Sequence, residues 1–300
     1  MSQDRLIVII LHYRGLADTA ACLASVVPQH HADLAILLVD NASGDDLSAL
    51  QAQYGTQLNV LRLAENRGWA GGNNAGIAWA RREQAGIVCL LNNDTIVPPG
   101  AFDRLAAAAK RCGPCLMHPA IDYANPAEGV QLDPSALPNA PEFACQLPDN
   151  TKVFRLDYAY GACLLIPLAV FDRIGTFDER FFLQLEEADF YHRARNAGIP
   201  SLCLPSVRIV HAESRSFGGR DTPDKTYYIT RNRLLLAEKS RPRWRAYRAA
   251  LRLILWRADE RANGSVLRWI VSGQPQARAM RQGFRDYCLR RFGRRVKVPE

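Results

Sequence analysis

The chain has 300 residues, 48% apolar and 23% charged. That is long enough for a large α/β domain, and the wrong composition for disorder, collagen or a low-complexity tract. The net charge of +8 is uneven: residues 240–300 hold 16 Lys and Arg against 4 Asp and Glu, and the remainder holds 22 against 26. A body at −4 thus carries a tail at +12, for which an anionic surface is the expected partner. No apolar run approaches the roughly 18 residues of a membrane span. Asp4 and Arg5 precede only six apolar residues, Leu6 to Leu11, so no secretory signal is expected and the reading is cytoplasmic.

In chain order, Arg5 to Leu11 reads as a buried strand, and an amphipathic helix opens near Asp18. Ala35 to Val39 is a second strand ending at Asp40, and Asp45 and Asp46 introduce a second helix. Leu58 to Leu63 is a third strand, Trp69 to Arg82 a helix and Gly86 to Leu91 a fourth strand. Strands separated by helices of this length predict a doubly wound, mostly parallel sheet with helices on both faces. A helix AFDRLAAAAKR follows; Pro119 to Asn150, rich in Pro, Asn and Asp, then reads as a long loop or short antiparallel excursion. From Asp157 a strand (YAYGACLLI) and a helix (EEADFYHRARNAG) resume the core, a strand pair covers Ser201 to Val210, and the chain is helical after about Asp224.

The eight cysteines read as reduced thiols, several of them in apolar strand runs where a thiol acts as a small hydrophobe. Cys112-Gly-Pro-Cys115 has dithiol spacing, but it ends a helix, where the dipole does not favour a thiolate. Redox chemistry is not expected there, nor is a structural metal, because His118 is the single extra ligand nearby.

In open α/β sheets a ligand sits beyond the carboxyl ends of the strands. Three polar clusters fall at such ends: Asp40-Asn41, Asn66-Arg67-Gly68 and Asn92-Asn93-Asp94.

Seven segments in order (LVDNASGDD, ENRGWAGGNNAG, LLNNDTIV, YGACLLIP, FDERFFLQLEEADFYHRARNAG, HAESRSFG and YYITRNRLLL) resemble glycosyltransferase family 2, in particular its rhamnosyltransferase-like branch. The resemblance runs from about Leu6 to Lys239. It implies an α/β GT-A fold over residues 1–239, followed by a basic helical extension over residues 240–300. It also implies a nucleotide-diphosphate sugar donor, a divalent metal (Mg²⁺ or Mn²⁺) and inversion at the anomeric carbon. A direct displacement of this kind needs charge neutralised on the departing diphosphate, a base for the attacking hydroxyl and a pocket that orients the nucleotide.

Residue by residue, the resemblance assigns Asp40 and Asn41 to the nucleotide, with Asn92 and Asn93 on ribose or donor sugar. It assigns Asp94 and His211 to the metal, since Asp94 is the one carboxylate where the family has Asp-x-Asp. Glu187 aligns with the family base, and Glu186 is the alternative. Asn73 or Asn74, in the glycine-rich start of a helix, and Arg231, in YYITRN, are further donor contacts. Tyr13-Arg14 departs from the family's Tyr-Asn, and SRSFGG after His211 suits a lid over bound donor. Asp189 and Arg193, at i,i+4, are placed to support one another.

The acceptor expected is a glycan or a lipid-linked glycan. The tail interleaves Arg with Trp244, Tyr247, Leu251, Leu253, Ile254, Leu255, Trp256 and Trp269. That pattern suits an interfacial helix on the inner face of the cytoplasmic membrane, a helix packed on the catalytic domain, or both through different faces. Two other readings compete: a non-catalytic sugar-nucleotide- or glycan-binding relative, and nucleic-acid binding by the tail. No nucleic-acid motif supports the latter, and no nucleic-acid partner is expected.

Overall fold

The computed structural model describes residues 5–29, 33–212, 222–262 and 265–296. Its first half alternates as the hydrophobic pattern requires: β1 (Leu6–His12), α1 (Leu16–Val26), β2 (Leu34–Asp40), α2 (Ser48–Tyr54), β3 (Leu58–Arg62), α3 (Gly68–Arg82) and β4 (Ile87–Asn92). The strands β3-β2-β1-β4 are mutually parallel. Period-two alternation sorts their side chains onto two faces. Leu6, Val8 and Ile10 pack with α1 and α2 in one core, whereas Ile7 and Ile9 pack with α3 in the other.

The second half departs from the parallel expectation. A two-residue strand β5 (Thr95–Ile96), α4 (Ala101–Cys112), β6 (Leu116–Tyr123), β7 (Val130–Leu132), β8 (Glu142–Phe143), β9 (Val153–Leu156) and β10 (Cys163–Pro167) come next. They are followed by α5 (Leu168–Ile174), α6 (Glu186–Asn196) and β11 (Ser201–His211). The path continues β4-β10-β6-β11-β9-β8, with β10 antiparallel to both neighbours and β6 parallel to β11. The sheet is therefore mixed, with eleven strands among the described residues.

Two sequence expectations need correcting here. Pro119 does not begin a loop; it lies within β6, a central strand. Proline lacks the N–H that a ladder needs, and the β6–β11 register breaks beside it, Leu204 pairing Pro119 and Arg208 pairing Ala120. The same irregularity, which includes Pro205, made one long strand read as a pair. The cysteines are not all thiols either. Cys112 is bonded to Cys145, in the irregular segment before β9. Cys115 is buried and its thiol is pushed up to about 12, so the dithiol spacing carries no reactive thiolate.

The chain ends in α7 (Pro223–Lys239), α8 (Arg243–Asp259), α9 (Val266–Val271) and α10 (Pro275–Cys288). Leu234 of α7 shares a small core with Ile254, Ala258, Trp269 and Met280. Tyr227 and Tyr228 of α7 pack on Phe182 and Leu183 ahead of α6. The helical extension is thus joined through α7 to the loop that enters α6.

Candidate active site

A cavity of about 350 Å³ opens beyond the carboxyl ends of β1, β2 and β4, the place expected of an open α/β sheet. Its lining includes Asn41, Asn92, Asn93, Asp94, Glu186, Glu187 and His211, residues separated by up to 170 positions in the chain. Asp40, Asn73 and Arg231 are not among the lining residues.

Strand ends supply the first group. His211 closes β11, and its Nε2 lies 3.2 Å from Asp94 Oδ1 and 3.3 Å from Asn92 Nδ2. Its Nδ1 lies 2.8 Å from Gln131 Oε1. An amide oxygen only accepts, so the Nδ1 proton points at Gln131 and Nε2 is left facing Asp94. Asn92 is itself fixed, its Oδ1 accepting from Trp69 Nε1–H at 3.1 Å. Asn93 donates to Arg14 O (3.0 Å) and Thr19 Oγ1 (2.8 Å), tying down the turn after β1. Asn41 donates to Gly68 O and Asn66 Oδ1 and accepts from Arg67 N–H, so it laces the loop before α3.

The second group sits at the start of α6. Phe182, Gln184 and Leu185 all have positive φ, a conformation that costs side-chain-bearing residues free energy and needs enforcement. Enforcement comes from α7. Arg231, fully buried, donates to Arg180 O, Phe181 O and Gly293 O, and Asn232 donates to Phe181 O, Leu183 O and Gln184 O. Arg231 was expected at the donor; its guanidinium is consumed by carbonyls, because five fixed donors suit a run of turned-in carbonyls as well as they suit phosphate. Gly68, also at positive φ, admits this loop: a Cβ there would lie 2.1 Å from Phe182 O.

Glu186 is buried and one of its carboxyl oxygens has no partner. Burial, and secondarily the charge of Glu187, drive its pKa well above the ordinary carboxylate range. Glu187 is half-buried and desolvation pushes it up to about 7. Asp189 faces away from this chemistry, paired with Arg193 at 2.9 Å and Lys239 at 2.6 Å. Asp40 is buried, accepting the Ser43 N–H at 2.9 Å as a turn former. Asn73 is buried and donates back to Trp69 O. The SRSFGG segment lies outside the described residues.

Residues 7–175 match the sequence profile of glycosyl transferase family 2. The chain belongs to that family. As a glycosyltransferase it is 25% identical over 239 residues to the low-salt glycan biosynthesis hexosyltransferase of Haloferax volcanii, covering 77% of this chain and 75% of that protein. It is 25% identical over 282 residues to the N-acetylglucosaminyl-diphospho-decaprenol L-rhamnosyltransferase of Mycobacterium tuberculosis, covering 81% and 87%. A dTDP-rhamnosyl transferase of Shigella flexneri is 21% identical over 217 residues, covering 68% and 71%.

Among solved structures, S. aureus TarS 1–349 in complex with UDP-GlcNAc superposes with a TM-score of 0.63 at 16% identity, over 94% of this chain and 80% of that one. GalNAc-T7 with UDP, GalNAc and Mn²⁺ gives 0.55 at 15%, over 89% and 56%. Against the S. aureus TarS chain in its own crystal structure the glycosyltransferase spans 43% of the length. The architecture is GT-A, with the helical extension appended.

Among the described residues no group of three or more His, Cys, Asp or Glu side chains could hold a metal. The transferase offers two donors, Asp94 Oδ1 and His211 Nε2. With the Nδ1 proton given to Gln131, two lone pairs meet at 3.2 Å, an arrangement that is repulsive unless a proton or a cation lies between them. Cis ligands at metal bonds of about 2.1 Å stand about 3 Å apart, so the pair fits a divalent cation whose remaining sites are left to other oxygens.

Sequence reasoning missed Gln131, in a segment whose Pro and Asn content signalled only loop. Trp69 opens the glycine-rich helix start that the resemblance sets beside the donor, and Tyr158, Tyr160 and Gly161 stand in the YAYGACLLI run; all four line the cavity.

Proposed function

We propose that the glycosyltransferase carries out inverting hexosyl transfer to a hydroxyl of a glycan or lipid-linked glycan in cell-surface polysaccharide synthesis. The favoured donor is dTDP-rhamnose, with a UDP-sugar as the alternative. The observation that carries this reading is one cavity lined both by the Asp94–His211 pair and by Glu187, a carboxyl held near neutrality. The cavity volume lies at the lower end of the range for small-molecule sites. The names of the mycobacterial and Shigella relatives, a rhamnosyltransferase acting on a diphospho-decaprenol and a dTDP-rhamnosyl transferase, support the same donor and acceptor classes.

In this mechanism Glu187 accepts the proton of the acceptor hydroxyl. The hydroxyl oxygen bonds to the anomeric carbon as the bond to the diphosphate breaks, and the electron pair of that bond leaves with the diphosphate. Asp94 and His211 would hold a Mg²⁺ or Mn²⁺ ion, which when bound neutralises charge on the diphosphate. A base near pH 7 combines availability with proton affinity. Burial raises Glu186 as well, which favours its neutral form beside the diphosphate. Gln131 keeps Nε2 of His211 directed at Asp94.

The test is donor turnover with dTDP-rhamnose and a panel of UDP-hexoses, in Mn²⁺, Mg²⁺ or chelator, with NMR assignment of the product anomer. Metal-dependent consumption of one donor with inverted product is expected. Failure to consume any donor with either metal, or a product of retained configuration, would overturn the reading.

A further inference from the structure

Helices α8 and α9 present a face that nothing else among the described residues covers. Ala250, Ile254 and Ala258 of α8 turn inward onto Leu234, Trp269 and Met280. At 100° per residue, Trp244, Leu251 and Leu255 then form one outward stripe, Arg245, Arg248 and Arg252 a second beside it, and Leu253 and Trp256 the far flank. Trp244 is 59% exposed and Trp256 55%; on α9, Leu267 and Val271 are 76% and 75% exposed. Seven of the fifteen large apolar side chains exposed among the described residues lie on these two helices, so the apolar surface is concentrated rather than scattered.

Among the described residues no acid pairs with Arg245, Arg248 or Arg252. Arg245 and Arg248 lie over the Trp244 ring at 5.1 and 5.7 Å. Glu238 is engaged by Arg290, and the acids of α8 and its cap, Asp259 and Glu260, come after Arg257 at the far end of the helix. From Arg241 to Arg257 there are six arginines and no acid. A second copy of the chain would bring two such cationic faces together, which repel. A nucleic acid offers phosphates but no place for the exposed aliphatic side chains of Leu251, Leu253, Leu255, Leu267 and Val271. A bilayer with anionic headgroups answers both, taking apolar side chains at its interface and guanidinium groups at its phosphates. No helix among the described residues is long and apolar enough to cross a membrane.

We infer that the α8–α9 face docks the protein on an anionic phospholipid surface, with Trp244, Trp256 and the leucines at headgroup depth and Arg245, Arg248 and Arg252 on the phosphates. The inference rests on this surface and is independent of which sugar is transferred.

The experiment is sedimentation of the full chain with phosphatidylcholine vesicles, with and without phosphatidylglycerol, across a salt series. Binding that requires phosphatidylglycerol and weakens with salt is expected, with a blue shift of tryptophan emission. Arg245→Ser, Arg248→Ser and Arg252→Ser together should lower vesicle affinity roughly a hundredfold, about fivefold for each cation near the surface. Trp244→Ser with Trp256→Ser should abolish the blue shift while the thermal melt and turnover of a soluble acceptor stay unchanged. Equal binding to neutral vesicles, unchanged binding by the triple variant, preferential binding of duplex DNA, or self-association in place of vesicle binding would each overturn the inference.

Discussion

Glu187 and Gly161 interlock: a Cβ on Gly161 would lie 2.5 Å from Glu187 Oε1 and 2.9 Å from a ring carbon of Trp69. The carboxyl and the indole therefore meet where residue 161 has no side chain. Gly161 is not at positive φ, so space and not backbone strain is what glycine supplies there. Gly161→Ala should displace the carboxyl by a sizeable fraction of an ångström and lower kcat roughly 10- to 100-fold, with donor KM and melting temperature nearly unchanged. Loss of both kcat and stability together would show instead that the loop cannot absorb the methyl.

The raised carboxyls at the start of α6 give the protein two pH signatures of opposite sense. The base must be ionised, so kcat should rise with pH and level off above about 7, the value to which burial pushes Glu187. Glu187→Gln should flatten this limb and lower kcat by about 10²- to 10⁴-fold.

Stability runs the other way. Both groups hold protons in the folded state at pH values where the unfolded chain, near the ordinary 4.5, has released them. The Glu187 contribution is therefore fully present below about pH 4.5 and is lost as pH rises through about 7. Glu187→Gln should raise the melting temperature at alkaline pH by roughly 2–6 °C and leave it unchanged in acid, as a pH series of thermal melts would register.

Gln131 reaches His211 across 80 residues of sequence. Gln131→Leu removes the acceptor that directs the Nδ1 proton, and should weaken Mn²⁺ binding about 10- to 100-fold. Titration of Mn²⁺ by electron spin resonance with a nucleoside diphosphate present would measure it. Unaltered affinity would separate His211 from the metal.

Arg231 is a prediction about folding. Arg231→Lys keeps the charge but cannot serve Arg180 O, Phe181 O and Gly293 O with one ammonium in the same geometry. Leaving buried carbonyls unmet should cost about 2–4 kcal/mol in denaturant melts. Retained stability with weakened donor binding would return Arg231 to the donor site.

The Cys112–Cys145 bond closes a separation of 33 residues. Cys112→Ser should lower stability by about 2–4 kcal/mol under oxidising conditions and have little effect in reductant. Thiol counting on denatured, unreduced protein should find six free groups of the eight.

Much of the architecture was legible from local pattern. The runs forming β1, β2 and β4 are apolar because both sheet faces are covered, and the helices between them carry the longer period. The Asn-Asn-Asp cluster, read from its strand end, and the acidic opening of α6, read through the family resemblance, both line the cavity. Pro119 misled because a proline inside a central strand is tolerated only where the neighbouring ladder breaks, and that break lies in β11, more than 80 residues away in sequence.

By itself, then, the order of residues determined the family, the parallel half of the sheet, the cationic tail and the chemical types available at the cavity, since each is written in short-range periodicity or in contiguous motifs. Tertiary structure alone decided what those types are used for. Asp40 and Asn73 satisfy nearby backbone groups, Arg231 clamps a strained loop, Gln131 orients His211, and Gly161 leaves room for Glu187. In the last three cases the partner lies tens of residues away, where only the folded chain brings the two groups together and withdraws them from water.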